Sequence, residues 1–340
     1  MKKYLSILIA AILMVGCLSA CSSGNKQTAA NNDKTQVVTT IFPEYDWVMN
    51  ILGENPAGAE VTMLLDSGVD LHSYQPTADD ILKISTCDLF IYVGGESDEW
   101  VDDALQEATN KDMIVINLLD VLGDSVKEEE VVEGMQEEEH DHDYEEGDEH
   151  DEDEHEYEDG EVEYDEHVWL SLKNASVLVQ KISDAIQTID QDHADTYKTN
   201  TSAYIEKLNT LDAQYQEAVD GASFHTLLFG DRFPFRYFVD DYGLDYYAAF
   251  VGCSAETEAS FETITFLAGK VDELSLPAVM TIEGTDHRIA ETIVQNTQSK
   301  NQQILTMDSM QSTTARDVQN GTTYLSVMET NLSVLKNALN

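Results

Sequence analysis

Histidines and carboxylates recur where apolar runs end. The run 61–65 is followed by Asp66-Ser67-Gly68-Val69-Asp70-Leu71-His72-Ser73-Tyr74-Gln75-Pro76, a glycine-flexible loop that carries one histidine and stops at a proline. A second histidine stands in Asp165-Glu166-His167-Val168-Trp169-Leu170. Asp231 and Arg232 follow the run 226–230, Glu283 follows 278–282, and Asp308 follows 303–307. Two imidazoles with carboxylate oxygens suit a borderline divalent ion such as zinc, and manganese less well. Each residue alone is a weak signal, because a lone loop histidine more often faces solvent or makes a hydrogen bond. No His-Glu-x-x-His pattern is present, and no serine–histidine–aspartate arrangement stands out.

Such residues need elements that bring them together. The β-branched run 37–42 reads as a strand, and Pro43 suits the first turn of a helix over 44–52. Strands follow at 61–65, 89–93 and 113–117, with helices at 77–83 and 100–108. Residues 174–189 and 191–219 read as two more helices, with Asp192 as a candidate cap for the second. At 1.5 Å per residue that second helix spans about 43 Å, enough to cross between two lobes. Strands at 226–230, 246–251, 278–283 and 303–307 then alternate with helices at 235–242, 261–274, 287–297 and 323–339. This rhythm predicts an α/β fold: two α/β lobes with mainly parallel sheets, 36–190 and 221–340, joined by a single long helix at 191–220. In parallel sheets ligands sit beyond the carboxyl ends of the strands, where the residues above fall.

The chain has 340 residues, with 18 Lys and Arg against 66 Asp and Glu, a net charge of −48. Such a chain repels nucleic acid and anionic lipid surfaces, and its natural partners are cations. With 42% hydrophobic residues it is not a wholly disordered acidic polymer. The acidity is uneven. Residues 128–166 hold 24 Asp and Glu, no Lys or Arg, and the four histidines His140, His142, His150 and His155. A block of like charge repels itself, so an extended, disordered insertion is expected over about 124–166. Its histidines could collect ions weakly at high effective concentration near the cleft.

The first residues read as an address. Lys2 and Lys3 precede an apolar run 5–17 and then Leu18-Ser19-Ala20-Cys21, the form of an export signal over 1–20. The run is too short to span a bilayer comfortably. Leu-Ser-Ala-Cys looks like a bacterial lipobox, which would make Cys21 a lipidated anchor to the cell membrane and 21–35 a flexible tether. Of the four cysteines, Cys87 and Cys253 then remain; Cys87 reads as a buried structural thiol, and nothing supports a bond between the two.

Several motifs together carry a family resemblance. Thr39-Thr40-Ile41-Phe42-Pro43-Glu44-Tyr45, Gly68-Val69-Asp70-Leu71-His72-Ser73-Tyr74-Gln75-Pro76-Thr77, Asp165-Glu166-His167-Val168-Trp169-Leu170-Ser171 and Gly252-Cys253-Ser254-Ala255-Glu256-Thr257-Glu258-Ala259-Ser260 occur in order. In these the chain resembles the metal-binding lipoproteins of bacterial zinc and manganese ABC uptake systems, the ZnuA/AdcA type of solute-binding protein. The likeness covers essentially all of the chain beyond the signal, and an acidic, His-rich insertion before the second histidine motif is typical of the zinc-type members.

The resemblance implies an extracytoplasmic monomer that captures zinc in the cleft between the lobes and passes it to an ABC permease and its ATPase, catalysing nothing. His72 and His167 would be metal ligands, Asp308 the final acidic ligand, and Glu283 a reserve ligand or a support behind the ligands. The third ligand is where this chain departs from the pattern. Relatives carry a histidine or glutamate five residues before a Tyr-Phe pair; Tyr237-Phe238 aligns, but Arg232 occupies that place, and a guanidinium does not ligate metal. Asp231 is the substitute candidate. His225 is expected at the far end of its strand, and His193 and His287 on the surface. Manganese is the alternative cargo. A secreted zinc hydrolase is the alternative from another class, and a surface adhesin a third reading.

Overall fold

The computed structural model describes residues 34–136, 163–254, 258–284 and 286–340. The expected signal (1–20), the tether up to residue 33 with Cys21, and His140, His142, His150 and His155 lie outside the described residues.

The first half is built on a parallel sheet of β1 (Gln36–Thr39), β2 (Glu60–Met63), β3 (Leu89–Tyr92) and β4 (Ile114–Asn117), in the order β2-β1-β3-β4. Its helices are α1 (Phe42–Leu52), α2 (Ala78–Thr86), α3 (Trp100–Gln106), α4 (Leu118–Leu122) and α5 (Leu172–Ile189). The long α6 (Ala194–Asp220) follows. The second half repeats the plan with β5 (Thr226–Phe233), α7 (Arg236–Tyr242), β6 (Asp245–Val251), α8 (Phe261–Leu274), β7 (Ala278–Ile282), α9 (Arg288–Asn296), β8 (Gln303–Met307), α10 (Ala315–Gln319) and α11 (Tyr324–Ala338). Its parallel strands lie in the order β6-β5-β7-β8. The central strands are largely apolar because both of their faces are packed against helices: Val37, Val38, Phe90 and Ile91 are buried in the first sheet, and Leu228, Phe229, Val279 and Met280 in the second, whereas the edge strands β2 and β8 are only partly buried.

The α/β class with its long helix is as the sequence predicts, and local chemistry sets several boundaries. Thr77 caps α2 in a reciprocal pair with Asp80, and Ser171 caps α5 by accepting from the Asn174 N–H. His193 lies at the surface, its Nδ1 2.8 Å from Asp190 Oδ2. Three expectations need correction. The long helix begins at Ala194 rather than 191, after a 3-10 turn at Gln191–His193; Asp192 lies inside that turn and does not cap it. Strand β5 runs on to Phe233, with a register shift against β6 between Phe229 and Arg232. The acidic insertion is ordered at both ends: Glu128 and Tyr164 form an antiparallel bridge, and the Gln136 N–H donates to the Ala249 carbonyl at 3.0 Å. The short helices α4 and α10 have too few turns to show a hydrophobic period, and the sequence reading misses them.

The two halves share more than one helix. α6 packs along α1 and α5 of the first half and α11 of the second. A single apolar cluster includes Val37, Trp47 and Trp169 together with Phe229, Phe238 and Met307. Trp47 meets Tyr324 edge to face with ring centroids 5.4 Å apart.

Candidate metal centre

His72 and His167 converge where the carboxyl ends of the two sheets meet, their Nε2 atoms 3.2 Å apart. Both sit in an Asp-x-His turn. Asp70 accepts from the His72 N–H at 3.1 Å, and Asp165 accepts from the His167 N–H at 2.9 Å. Asp165 Oδ1 also lies 3.1 Å from His167 Nδ1. A carboxylate only accepts, so Nδ1 carries the proton and Nε2 faces the cleft as a bare lone pair. On the other ring, His72 Nδ1 meets Ser97 Oγ at 2.7 Å, with Glu166 Oε2 3.4 Å away, which turns its Nε2 inward as well.

Close packing holds these supports. Glu166 Oε1 accepts from the Ser97 N–H at 2.9 Å, and a side chain at Gly95, whose φ is +81°, would collide with that oxygen. Glu166 Oε2 is buried without a hydrogen bond, and burial pushes the Glu166 carboxyl up to about 7. Burial and the neighbouring His167 drive His72 down to about 3, so it stays neutral. Burial also works against a charged His167, but the charge and hydrogen bond of Asp165, with Glu166 and Asp70 behind them, outweigh it and hold His167 above the ordinary histidine value.

The second half contributes through Gln311. Its amide Nε2 lies 3.2 Å from His72 Nε2 and also contacts His167 Nε2, so one amide group reaches the inward-facing nitrogens of both rings. Glu283 shapes that loop. Its carboxylate accepts from the N–H and hydroxyl of Ser309 and, at 3.1 Å, from the Gln311 N–H. Cys253, two residues beyond the end of β6, completes the cluster: ligand atoms of His72, His167 and Cys253 all lie within 4.8 Å of one another. Gly252 makes this approach possible, since a Cβ there would stand 2.9 Å from His167 Cε1 and 2.9 Å from the Phe233 carbonyl. The donor set of two nitrogens and one sulfur, with carboxylates behind it, fits a borderline divalent cation.

The sequence profile described as "Zinc-uptake complex component A periplasmic" (ZnuA) matches residues 37–338. The chain belongs to this family. The zinc-binding lipoprotein AdcA of Streptococcus pneumoniae (strain ATCC BAA-255 / R6) is 31% identical over 336 residues, which cover 99% of this chain and 61% of that relative. The chain thus spans about three-fifths of that longer protein. The high-affinity zinc uptake system protein ZnuA of Bacillus subtilis (strain 168) is 28% identical over 342 residues, covering 99% of this chain and 98% of the relative. The crystal structure of the Zn(II)-bound ZnuA-like domain of Streptococcus pneumoniae AdcA aligns at a TM-score of 0.67 and 27% identity, covering 90% of this chain and 99% of that domain.

Within this ZnuA-family chain the expected site residues fall into two groups. His72 and His167 come together. Asp231 and Asp308 do not join their cluster. Because β5 continues past Gly230, Asp231 lies inside the strand, where its carboxylate accepts from the Arg232 and Ile282 N–H groups. Asp308 turns its Oδ1 back to the Met310 N–H at 2.8 Å. Glu283 lies behind Gln311, accepting from the Ser309 and Gln311 N–H groups. Arg232 pairs with Asp70 at 2.8 Å and reaches the Ser254 carbonyl at 3.4 Å, so it ties the loop of His72 to the turn of Cys253. The sequence reading does not select Cys253 or Gln311. Cys253 carries a signal, a cysteine directly after a strand and a glycine; Gln311 carries none. Both Cys87 and Cys253 are free thiols.

Proposed function

We propose that the chain is the extracytoplasmic solute-binding component of an ABC uptake system. It captures zinc between its two halves, delivers it to a membrane permease driven by an ATPase, and catalyses no reaction. It works as a monomer held to the membrane by lipid on Cys21. The convergence of the His72 and His167 Nε2 atoms, each with its Nδ1 held by an oxygen, carries this reading. Membership of a zinc-uptake family supports a carrier over the hydrolase alternative. The histidines of the acidic insertion, His140, His142, His150 and His155, act as a weak collector ahead of the main site.

Calorimetric titration of the purified chain with zinc tests this. One tight equivalent is expected, lost when His72 and His167 are both replaced by alanine. No measurable zinc uptake, or uptake unchanged in the double variant, would overturn the proposal.

A further inference from the structure

We propose that Cys253 supplies a third donor, a thiolate, so that the captured ion sits in a mixed nitrogen–sulfur shell. This builds on the zinc-capture reading above and concerns how the site holds its cargo.

Five features place the sulfur. Strands β5 and β6 are parallel neighbours, so their carboxyl ends lie side by side and a donor can be presented from either. The polar residues in the last part of β5 are engaged elsewhere: Asp231, inside the strand, serves backbone N–H groups, and Arg232 pairs with Asp70. At the end of β6, Gly252 lets the chain lie against the His167 ring, which brings Cys253 beside both imidazoles. Glu129 Oε1 accepts from the Cys253 N–H at 3.2 Å, and Arg232 reaches the carbonyl of the next residue, so the turn is held from both sides. A cavity of about 250 Å³ opens onto the sulfur, lined among others by His72, Ser97, Glu129, Glu163 and Glu166.

Coordination would replace the Sγ–H bond by an Sγ–metal bond, and the thiol proton would leave to solvent, with Glu129 as the adjacent base. A thiolate favours zinc and other borderline or soft ions over manganese, which prefers oxygen. The third donor therefore bears on which metal the chain selects.

Cobalt(II) is the probe. The purified, reduced full chain is titrated with cobalt and then with zinc as competitor, alongside Cys253→Ser and Cys87→Ser. Wild type and Cys87→Ser should show an intense near-ultraviolet thiolate-to-cobalt band that saturates at one equivalent and disappears on zinc addition. Cys253→Ser should lose the band, bind zinc at least about tenfold more weakly, and show a smaller preference for zinc over manganese. A second measurement needs no variant: zinc should protect Cys253 of the wild-type chain from alkylation, read by mass spectrometry. A band that survives in Cys253→Ser, or equal alkylation with and without zinc, would overturn the assignment. If zinc still binds tightly and depends on the two histidines, the capture reading stands while the sulfur donor falls. If wild type takes up no zinc, both fall.

Discussion

Each imidazole at the centre is aimed by an oxygen on its far nitrogen, and at His167 that oxygen belongs to Asp165 at 3.1 Å. Losing such a support costs a metal site roughly 10–100-fold in affinity. Asp165→Asn should therefore weaken zinc binding at pH 8 by about that factor. It should act oppositely on the pH profile. Asp165 helps hold His167 above the ordinary histidine value, while His72 is neutral down to about 3. As pH falls, protons thus compete with zinc first at His167, beginning on the alkaline side of about 6.5. In Asp165→Asn the loss should move to lower pH; titrations between pH 5 and 8.5 that show no such move would refute this account. Gly252→Ala makes a separate test. Its methyl group would press on His167 Cε1 and the Phe233 carbonyl, both 2.9 Å away, so zinc affinity should fall while the far-ultraviolet spectrum is retained. At this scale much was legible: both histidines stand in Asp-x-His, and the short polar side chain before each one builds its turn. Gln311 was not legible, because an amide three residues beyond a strand-end aspartate reaches the imidazoles only once Glu283 has folded its loop.

Elements are positioned by bonds that cross from one half to the other. The Trp169 Nε1–H donates to the Ser309 carbonyl at 2.8 Å, and the Tyr324 hydroxyl donates to the Trp169 carbonyl at 2.6 Å. The loop that carries Gln311 is thus fixed both to the second histidine motif and to Glu283. Burial, and then the charge of Asp308, push the Glu283 carboxyl from an ordinary 4.5 up to about 7. A folded-state value above the unfolded one contributes stability that is complete below about pH 4.5 and is lost as pH rises through 7. For this one group the loss amounts to at most about 3 kcal/mol. Thermal midpoints of the zinc-free chain should fall over that window, and Glu283→Gln, which has no proton to lose, should fall less steeply. An equal slope in the variant would exclude Glu283 as its source. Strand and helix order was readable from alternating apolar runs and caps such as Thr77 and Ser171. The continuation of β5 was not, since Gly230-Asp231 looks like a strand end and only pairing with β6 shows that the strand resumes at Arg232.

Across the whole molecule two properties combine, a preassembled centre and an uneven charge. Trp169 to Ser309, Arg232 to Asp70, and the Tyr237 hydroxyl to the Asp165 carbonyl already join the halves around the histidines, over a shared apolar core. Zinc capture should therefore leave the radius of gyration unchanged in solution scattering, and a clear contraction would point to hinge closure instead. Under the proposed reading, the charge separates a strong site from weak ones. Of the 66 acidic residues, 24 lie in 128–166, together with His140, His142, His150 and His155, whereas His167 is buried and His72 nearly so. Exposed charges are screened within about 10 Å at 0.1 M salt, and buried donors far less. Zinc titration of the full chain should then resolve one tight equivalent that is insensitive to salt and a weaker class that fades as salt rises. Replacing the four insertion histidines with glutamine should abolish the weaker class, leave the tight equivalent in place, and slow capture from dilute zinc in stopped-flow measurements at low salt, because the insertion would then attract the cation without briefly holding it. If the weak class persists in that variant, carboxylates alone collect the ion and the histidines there have another purpose.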